Sequence, residues 1–274
     1  MIDRMDAIAL DDEGTWPPSL VDELEISFDV LRKYEEERSR IDSLCAENVS
    51  LRRRPPTNEH EAAHERILAR VSALIGDLCL VGYHCTRLHV DEIEGIRRAG
   101  LVPLGEELVK QKIARRVAVG DFSRDVANQL LTTTLANVAG AWGARKEMIW
   151  FVFTRELLRD ESGIWRLISF WGGEALYIAH EENTTIGPIL TGIGTACIVE
   201  AAVPVRSINS GRPAAERVVC SFLDRRGVET EHGPQMEGYA KVPVGGELIR
   251  GVVTRSEAAF EELTTCSAWS TPPT

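Results

Sequence analysis

A stretch of 35 residues, 20–54, contains neither glycine nor proline and constrains the N-terminal part of the chain more than any other feature. It is rich in Glu, Leu and Arg, which favour helix, and the Pro55-Pro56 pair follows it directly. Because proline disfavours helical backbone in the preceding residue, we expect one long helix that ends before Pro55. Ser19, with Asp22 three residues later, is typical of a helix N-cap. A second helix is predicted over residues 59–74.

Side chains of this long helix recur at spacings of four and three residues. The positions are Val30, Tyr34, Glu37, Ile41, Leu44, Asn48 and Leu51. The last part resembles a leucine-zipper segment, in which a polar Asn at a core position can fix register and strand number. Two interpretations stay open, because only about three heptads are involved and Glu37 interrupts the apolar seam. The helix either forms a homodimer through residues 20–54 or packs on its own domain.

The rest of the chain indicates three regions. Residues 1–18 carry acids, Gly14 and the Pro17-Pro18 pair, which favours a flexible lead-in. A helical region is expected over 19–76. Residues 77–274 then combine short β-rich runs with helices, which predicts an α+β domain. Strands are predicted over 78–83, 148–154, 174–179, 196–205, 236–244 and 248–254, and helices over 113–138 and 214–223.

The net charge and its distribution limit the classes of partner that we expect this chain to bind. The net charge is −11, and the first thirty residues hold nine acids and a single arginine. This balance argues against non-specific nucleic-acid binding, which needs a positive field, although a specific nucleic-acid substrate stays open. No window approaches the roughly twenty apolar residues of a membrane span, and the acidic N-terminus lacks a basic signal region. We therefore expect no membrane association and a cytoplasmic location.

Cysteine and histidine spacing gives no indication of a metal site. The six cysteines are scattered, with no C-x-x-C pair, and indicate reduced, mostly buried thiols. His60 and His64 lie four residues apart, without a Cys or carboxylate at metal-site spacing. No metal is predicted.

The segment from Gly82 to Arg87 (Gly-Tyr-His-Cys-Thr-Arg) ends an apolar run and carries the first candidate chemistry. Side chains alternate along a strand, so His84 and Thr86 are predicted on one face and Cys85 on the other. That geometry argues against Cys85 as a nucleophile with His84 as its base. A satisfied core histidine is the alternative interpretation of His84.

This strand, with the helix after it, resembles the opening of the ADP-ribosyltransferase fold, His-Tyr-Glu (poly-ADP-ribose polymerase-like) branch. There, an aromatic-His-x-Thr/Ser strand end precedes a helix terminus matched here by Ile93, Ile96, Gly100 and Leu101. The resemblance implies NAD as the substrate. It implies NAD contacts for His84, Cys85, Thr86 and Arg87, with Arg87, Arg124 and Arg155 as candidates for the pyrophosphate. Cys85 stands where the family usually has Gly, so its side chain is expected to narrow the nicotinamide pocket.

The segment from Trp171 to Ala179 resembles the family's Gly-x-x-hydrophobic-Tyr-hydrophobic-Ala strand. The resemblance implies that Tyr177 packs on nicotinamide, and an electron-rich ring suits a flat pyridinium cation. Gly173 is expected to let the backbone approach NAD closely. A core tyrosine in a strand is the alternative interpretation.

A third segment, from Gln235 to Pro243, resembles the late strand that begins with the catalytic glutamate. The match is Glu237, whose carboxylate would stabilise the oxocarbenium-like ribose as the nicotinamide bond breaks. Gln235 would then lie on the same strand face, where it either positions the acceptor or is a surface residue. Other acids compete for the catalytic role. They are Glu174, the strongest rival, and Glu200, Glu229 and Glu231.

The resemblance implies an α+β domain with the split β-sheet of the ADP-ribosyltransferases, preceded by a helical N-terminal region. The expected activity is NAD-dependent transfer of ADP-ribose to a protein or nucleic-acid acceptor, in a bacterial toxin or defence effector. NAD glycohydrolysis is an alternative. RNA 2′-phosphotransfer is less favoured, because the domain is nearly neutral. From another class, the chain would be a non-catalytic dimer that senses a nucleotide.

Overall fold

The computed structural model describes residues 7–136 and 141–273. The helices are α1 (Pro18–Glu47), α2 (Val49–Arg53), α3 (Glu61–Ile75), α4 (Val90–Ala99), α5 (Glu106–Val119), α6 (Arg124–Ala136), α7 (Ala141–Arg145), α8 (Arg155–Leu158), α9 (Glu161–Ser169), α10 (Glu174–Tyr177), α11 (Ile186–Gly192), α12 (Ala214–Asp224) and α13 (Ala258–Thr264). The strands are β1 (Ala7–Ile8), β2 (Cys79–Leu88), β3 (Ile149–Val152), β4 (Thr195–Pro204), β5 (Ile208–Ser210), β6 (Glu237–Ala240) and β7 (Ile249–Thr254).

The chain divides into two compact units. The first comprises residues up to 80 together with 204–206 and 210–236, and the second comprises 81–203, 207–209 and 237–274. The predicted boundary after residue 76 therefore lies close to the first crossing between units. The prediction did not include the return of residues 210–236, with α12, to the first unit.

From residue 7 onward, the segment predicted as a flexible lead-in pairs and packs in the first unit. β1 pairs in parallel with Cys79 and Leu80 at the start of β2. Leu10 and Trp16 are buried, and the Trp16 indole donates a 2.8 Å hydrogen bond to the Ala9 carbonyl oxygen. Apolar side chains between the acids thus bury this segment. Residues 1–6 lie outside the described residues.

The long helix begins at Pro18 and is interrupted at Asn48, which corrects the prediction at both ends. Proline suits the first helical position, because its missing N–H has no partner there. Asn48 has extended backbone, and its side chain accepts a 2.9 Å hydrogen bond from the Ser50 amide to cap α2. Its side chain is exposed within the single chain.

The face of α1 that is buried within the first unit carries Leu20, Leu24, Leu31 and Ile41. α1 contacts α3 and α12, and these two helices contact each other. Of the predicted zipper positions, only Ile41 is fully buried here. The structure thus bears out packing of the helix on its own unit, and dimerisation stays a prediction.

The second unit is built on a sheet with strand order β5-β6-β3-β2-β4-β7. The pairs β2–β3, β3–β6 and β4–β7 are antiparallel. Helices and an antiparallel sheet confirm the α+β class. Strands predicted over 78–83, 148–154, 196–205, 236–244 and 248–254 correspond to β2, β3, β4, β6 and β7.

Glycines end or redirect the chain at two places in this unit. Residues 174–179 were predicted as a strand, which is wrong, because Gly172 and Gly173 have φ of 90° and 66° and turn the chain into the short helix α10. The helical material predicted over 113–138 is confirmed as parts of α5 and α6, and the left-handed backbone of Gly120 ends α5. Residues 137 and 138 of that prediction lie outside the described residues.

Candidate active site in the second unit

A cavity of about 470 Å³ lies in the second unit and is lined by residues of β2, β3, β6 and several helices. Its volume is in the range of small-molecule sites, about 300–1,000 Å³. Four consecutive residues of β2, 83–86, line the cavity.

Strand register brings the first and third predicted motifs to this cavity. Val152 of β3 pairs with Tyr83 of β2 on one side and with Glu237 of β6 on the other. Neighbouring strands lie about 4.8 Å apart, so the backbones of Tyr83 and Glu237 are separated by roughly 10 Å. His84 follows Tyr83, and both His84 and the exposed Glu237 line the cavity.

The His84 imidazole is anchored to the neighbouring strand. Its Nδ1 lies 2.8 Å from the Trp150 carbonyl oxygen, which can only accept, so Nδ1 carries the proton. Burial lowers the pKa of His84 despite this hydrogen bond. At neutral pH the ring is therefore neutral, and Nε2 is left as a hydrogen-bond acceptor.

Cys85 and Thr86 also line the cavity. Both residues are buried. Burial raises the pKa of the Cys85 thiol to about 12, so it stays protonated at neutral pH. This agrees with the prediction that Cys85 is not a nucleophile.

Arg87 is not at the cavity. Its side chain is 3% exposed, and it donates to the carbonyl oxygens of Ile193 at 2.7 Å and Gly194 at 3.0 Å. These bonds fix the chain just before β4 and give Arg87 a structural role in place of the expected pyrophosphate contact. The cationic residues that line the cavity are Lys112, Arg115, Arg116 and Arg145.

Tyr177 is likewise away from the cavity lining. It is 3% exposed and lies in the hydrophobic core, with its ring centroid 5.5 Å from that of Phe170. Its position in α10 follows from the turn at Gly173, so the expected contact with nicotinamide is not supported. Gly173 itself does line the cavity.

Trp150 is an aromatic residue that lines the cavity, and the sequence reasoning did not single it out. The Arg145 guanidinium lies 4.1 Å from its ring centroid, as in a cation–π contact. The Trp150 indole N–H is buried and has no hydrogen-bond partner among the described residues. Its position in the middle of the apolar β3 run was the available sequence signal.

Glu174, the strongest rival acid, lines the same cavity and forms an ion pair with Arg145. The other rivals do not line it. Glu200 pairs with Arg250 at 2.6 Å between β4 and β7, whereas Glu229 and Glu231 belong to the first unit. Gln235 also belongs to the first unit and is not among the residues that line the cavity.

An ion-pair network between α4 and α5 forms another part of the lining. Arg116, 1% exposed, binds Asp91 at 2.6 Å and Asp121 at 3.1 Å. Burial alone would raise the pKa of Asp91, but hydrogen bonds from Arg116 and His89 outweigh it and lower that pKa. Asp91 therefore stays ionised. Arg115, more exposed than Arg116, also reaches Asp91 at 2.5 Å.

Glu92 and Lys112 complete the network beside the core. Lys112 Nζ lies 2.9 Å from Glu92 and 5.4 Å from the Trp171 ring centroid. The Trp171 indole donates a 2.7 Å hydrogen bond to Glu92. Because these partners are far apart in sequence, no local pattern indicates them.

Comparisons with known proteins do not place the chain. It matches no family model, no curated protein and no solved structure. Within residues 7–136 and 141–273, no group of three or more His, Cys, Asp or Glu side chains is arranged to hold a metal ion. None of the helices described is long and apolar enough to cross a membrane.

Proposed function

We propose that the second unit binds NAD in this cavity and cleaves the bond between nicotinamide and ribose, transferring ADP-ribose to an acceptor. The observation that carries the proposal is the convergence of a neutral His84, the exposed carboxylate of Glu237 and the aromatic Trp150 on one cavity. The resemblance of the β2 and β6 motifs to ADP-ribosyltransferases supports the same reaction.

The chemistry assigns a distinct role to each side chain. His84 Nε2, held by the Nδ1 bond to β3, accepts a hydrogen bond from a ribose hydroxyl. As the C–N bond breaks, its electron pair moves to the nicotinamide nitrogen and positive charge develops on the ribose. The Glu237 carboxylate stabilises that charge, as carboxylates do in glycoside hydrolysis. The acceptor, or water, then forms a bond to the same ribose carbon and releases its proton to solvent.

Trp150 takes the role first assigned to Tyr177. A pyridinium ring is a flat cation, and an indole face attracts such cations by about 0.5–2 kcal/mol. The guanidinium of Arg145 lies over the ring, and the Tyr239 ring centroid is 5.0 Å away, so the pyridinium would take the place of the Arg145 guanidinium. Lys112 and Arg115, at the α4–α5 side of the cavity, are the candidates for the NAD phosphates.

The decisive experiment measures free nicotinamide released from NAD by the full chain and by Glu237→Gln. We expect release by the wild type and a loss on the order of a hundredfold or more in the variant. Nicotinamide release by Glu174→Gln tests whether the rival acid is the catalytic one. Glu262 is an exposed acid of α13 outside the cavity lining, so Glu262→Gln is the matched control.

Adding cell lysate separates the two fates of ADP-ribose. Labelled ADP-ribose bound to lysate macromolecules indicates transfer, whereas free ADP-ribose alone indicates NAD glycohydrolysis. If the wild type neither releases nicotinamide nor binds NAD, the enzyme proposal fails, and a non-catalytic interaction protein is the remaining interpretation. A role as a bacterial toxin or defence effector rests on the resemblance alone.

A further inference from the structure

Three arginines of the first unit converge on one histidine. Arg38 of α1 has its Nη2 3.2 Å from His232 Nε2, and Arg212, just before α12, binds the same nitrogen. Arg217 of α12 donates to the carbonyl oxygens of His232 at 3.1 Å and Gly233 at 2.9 Å. We call Arg38, Arg212, Arg217 and His232 the arginine cluster.

The cluster concentrates positive charge around a neutral ring. Guanidinium groups only donate, so His232 Nε2 accepts where it bonds to Arg38 or Arg212, and the Glu231 carboxylate lies 3.1 Å from the same nitrogen. Desolvation and the charges of Arg212, Arg38 and Arg217 lower the pKa of His232. Two guanidinium groups thus meet at one ring nitrogen and a third binds the backbone of the same residue, an arrangement that an anion stabilises.

Two carboxylates of the chain balance part of this charge. Glu216, in the first turn of α12, has its carboxylate 2.7 Å from Nη1 of Arg212, four residues earlier in the chain. The Glu216 side chain is 17% exposed. Glu231 pairs with Arg38 from the loop after α12, and its side chain is 44% exposed. Glu231 is the more exposed of these two carboxylates, so it is the one that an incoming anion can displace.

We propose that the arginine cluster binds a phosphate monoester dianion, which displaces Glu231. Guanidinium groups bind phosphate oxygens through two parallel hydrogen bonds, and a dianion with three acceptor oxygens is a stronger partner than one carboxylate. Arg38 and Arg212 are 24% and 35% exposed, so solvent reaches them. Arg217 keeps its hydrogen bonds to the carbonyl oxygens of His232 and Gly233 and so holds the loop after α12 in place. The site lies in the first unit and does not depend on the proposed NAD chemistry.

Calorimetric titration of the full chain, at constant ionic strength, tests the site. The probes are ribose 5-phosphate and a phosphoserine peptide, each compared with its unphosphorylated form. We expect saturable binding of a phosphorylated probe, at least tenfold weaker in Arg38→Gln and Arg212→Gln. Glu231→Gln should bind several-fold more tightly, because it removes the competing carboxylate. Arg40→Gln, an exposed arginine of α1 paired with Glu37, should bind like the wild type.

Each outcome decides the proposal. Binding of the peptide alone identifies a modified protein as the source of the phosphate, and binding of the sugar phosphate identifies a metabolite. No saturable binding up to about 10 mM by the wild type and by Glu231→Gln overturns the site, as does equal affinity in Arg38→Gln. Glu231 is an exposed loop residue, so its variant tests the site without risk to folding. Glu237→Gln should bind the probes normally, which separates this result from failure of the enzyme proposal.

Discussion

His84 donates its Nδ1 proton to the carbonyl oxygen of Trp150 at 2.8 Å, so the same bond joins β2 to β3 and sets the tautomer of the ring. The Nε2 atom is thereby left to accept a hydrogen bond at the cavity. The strand pattern alone would equally describe His84 as a core histidine. In the structure, Nδ1 stabilises the fold, and Nε2 does not take part in that bond. The two functions of the ring are separable by substitution.

Substitution of His84 by Asn is expected to separate these functions. The Asn amide can replace the Nδ1 donor toward Trp150, but it places no acceptor where Nε2 lies. We expect the free energy of unfolding to fall by no more than about 1 kcal/mol, the net value of one hydrogen bond. Nicotinamide release should fall at least tenfold. Equal activity of His84→Asn and wild type would contradict a role for Nε2.

The pH dependence of stability should also change in His84→Asn. Burial lowers the folded-state pKa of His84, so below the ordinary value near 6.5 the unfolded chain binds a proton that the folded chain resists. The contribution of neutral His84 is complete above that pH and is lost as the pH falls toward the lower folded pKa. We expect denaturant unfolding between pH 7 and 5 to show a shallower loss of stability in the variant. Since His64 and His180 are also shifted downward, only the difference between the two proteins tests His84.

Trp150 should contribute to NAD binding through its ring face. Trp150→Ala is expected to raise KM for NAD by about tenfold, in keeping with a desolvated cation–π contact of up to about 2 kcal/mol. Trp150→Phe keeps an aromatic ring of weaker electron density, so its KM for NAD should lie between those of the wild type and Trp150→Ala. Tyr177→Phe is the matched control, because its ring is in the core, and it should leave KM unchanged. A selective rise of KM in Tyr177→Phe, with none in Trp150→Ala, would restore the original assignment.

Local sequence pattern was sufficient for the elements that carry the site. The continuous apolar run around β3, with β-branched and aromatic residues, predicted a strand without reference to the rest of the chain, and in the structure Ile149 and Phe151 are its buried residues. The same holds for the helix end at Gly100. The backbone there has φ of 87°, and the Gly100 amide donates to the Ile96 carbonyl oxygen.

The failures arise where contacts distant in sequence, or one special residue, decide the outcome. Tyr177 was misassigned because two consecutive glycines with positive φ turn the chain into a helix, although the apolar pattern that follows suits a strand equally. The helix was predicted to continue through Asn48, but the side chain of Asn48 caps α2 and interrupts the helix there. Arg116 and Asp91 pair across 25 positions of sequence, and only the packing of α5 on α4 reveals their bond.

Gly100 provides a stability test with an internal control in the same helix. A Cβ atom at Gly100 would overlap the Val244 carbonyl oxygen, and the positive φ is itself unfavourable for a side chain. We expect Gly100→Ala to lower the free energy of unfolding by more than about 2 kcal/mol, since the Leu101–Val244 bridge holds the two backbones together. A Cβ at Gly95, within α4, meets nothing within 4 Å, so Gly95→Ala should stabilise by about 0.5–1 kcal/mol. Urea unfolding of both variants measures the difference. Equal stability of Gly100→Ala and wild type would contradict the close approach of α4 to the segment around Val244.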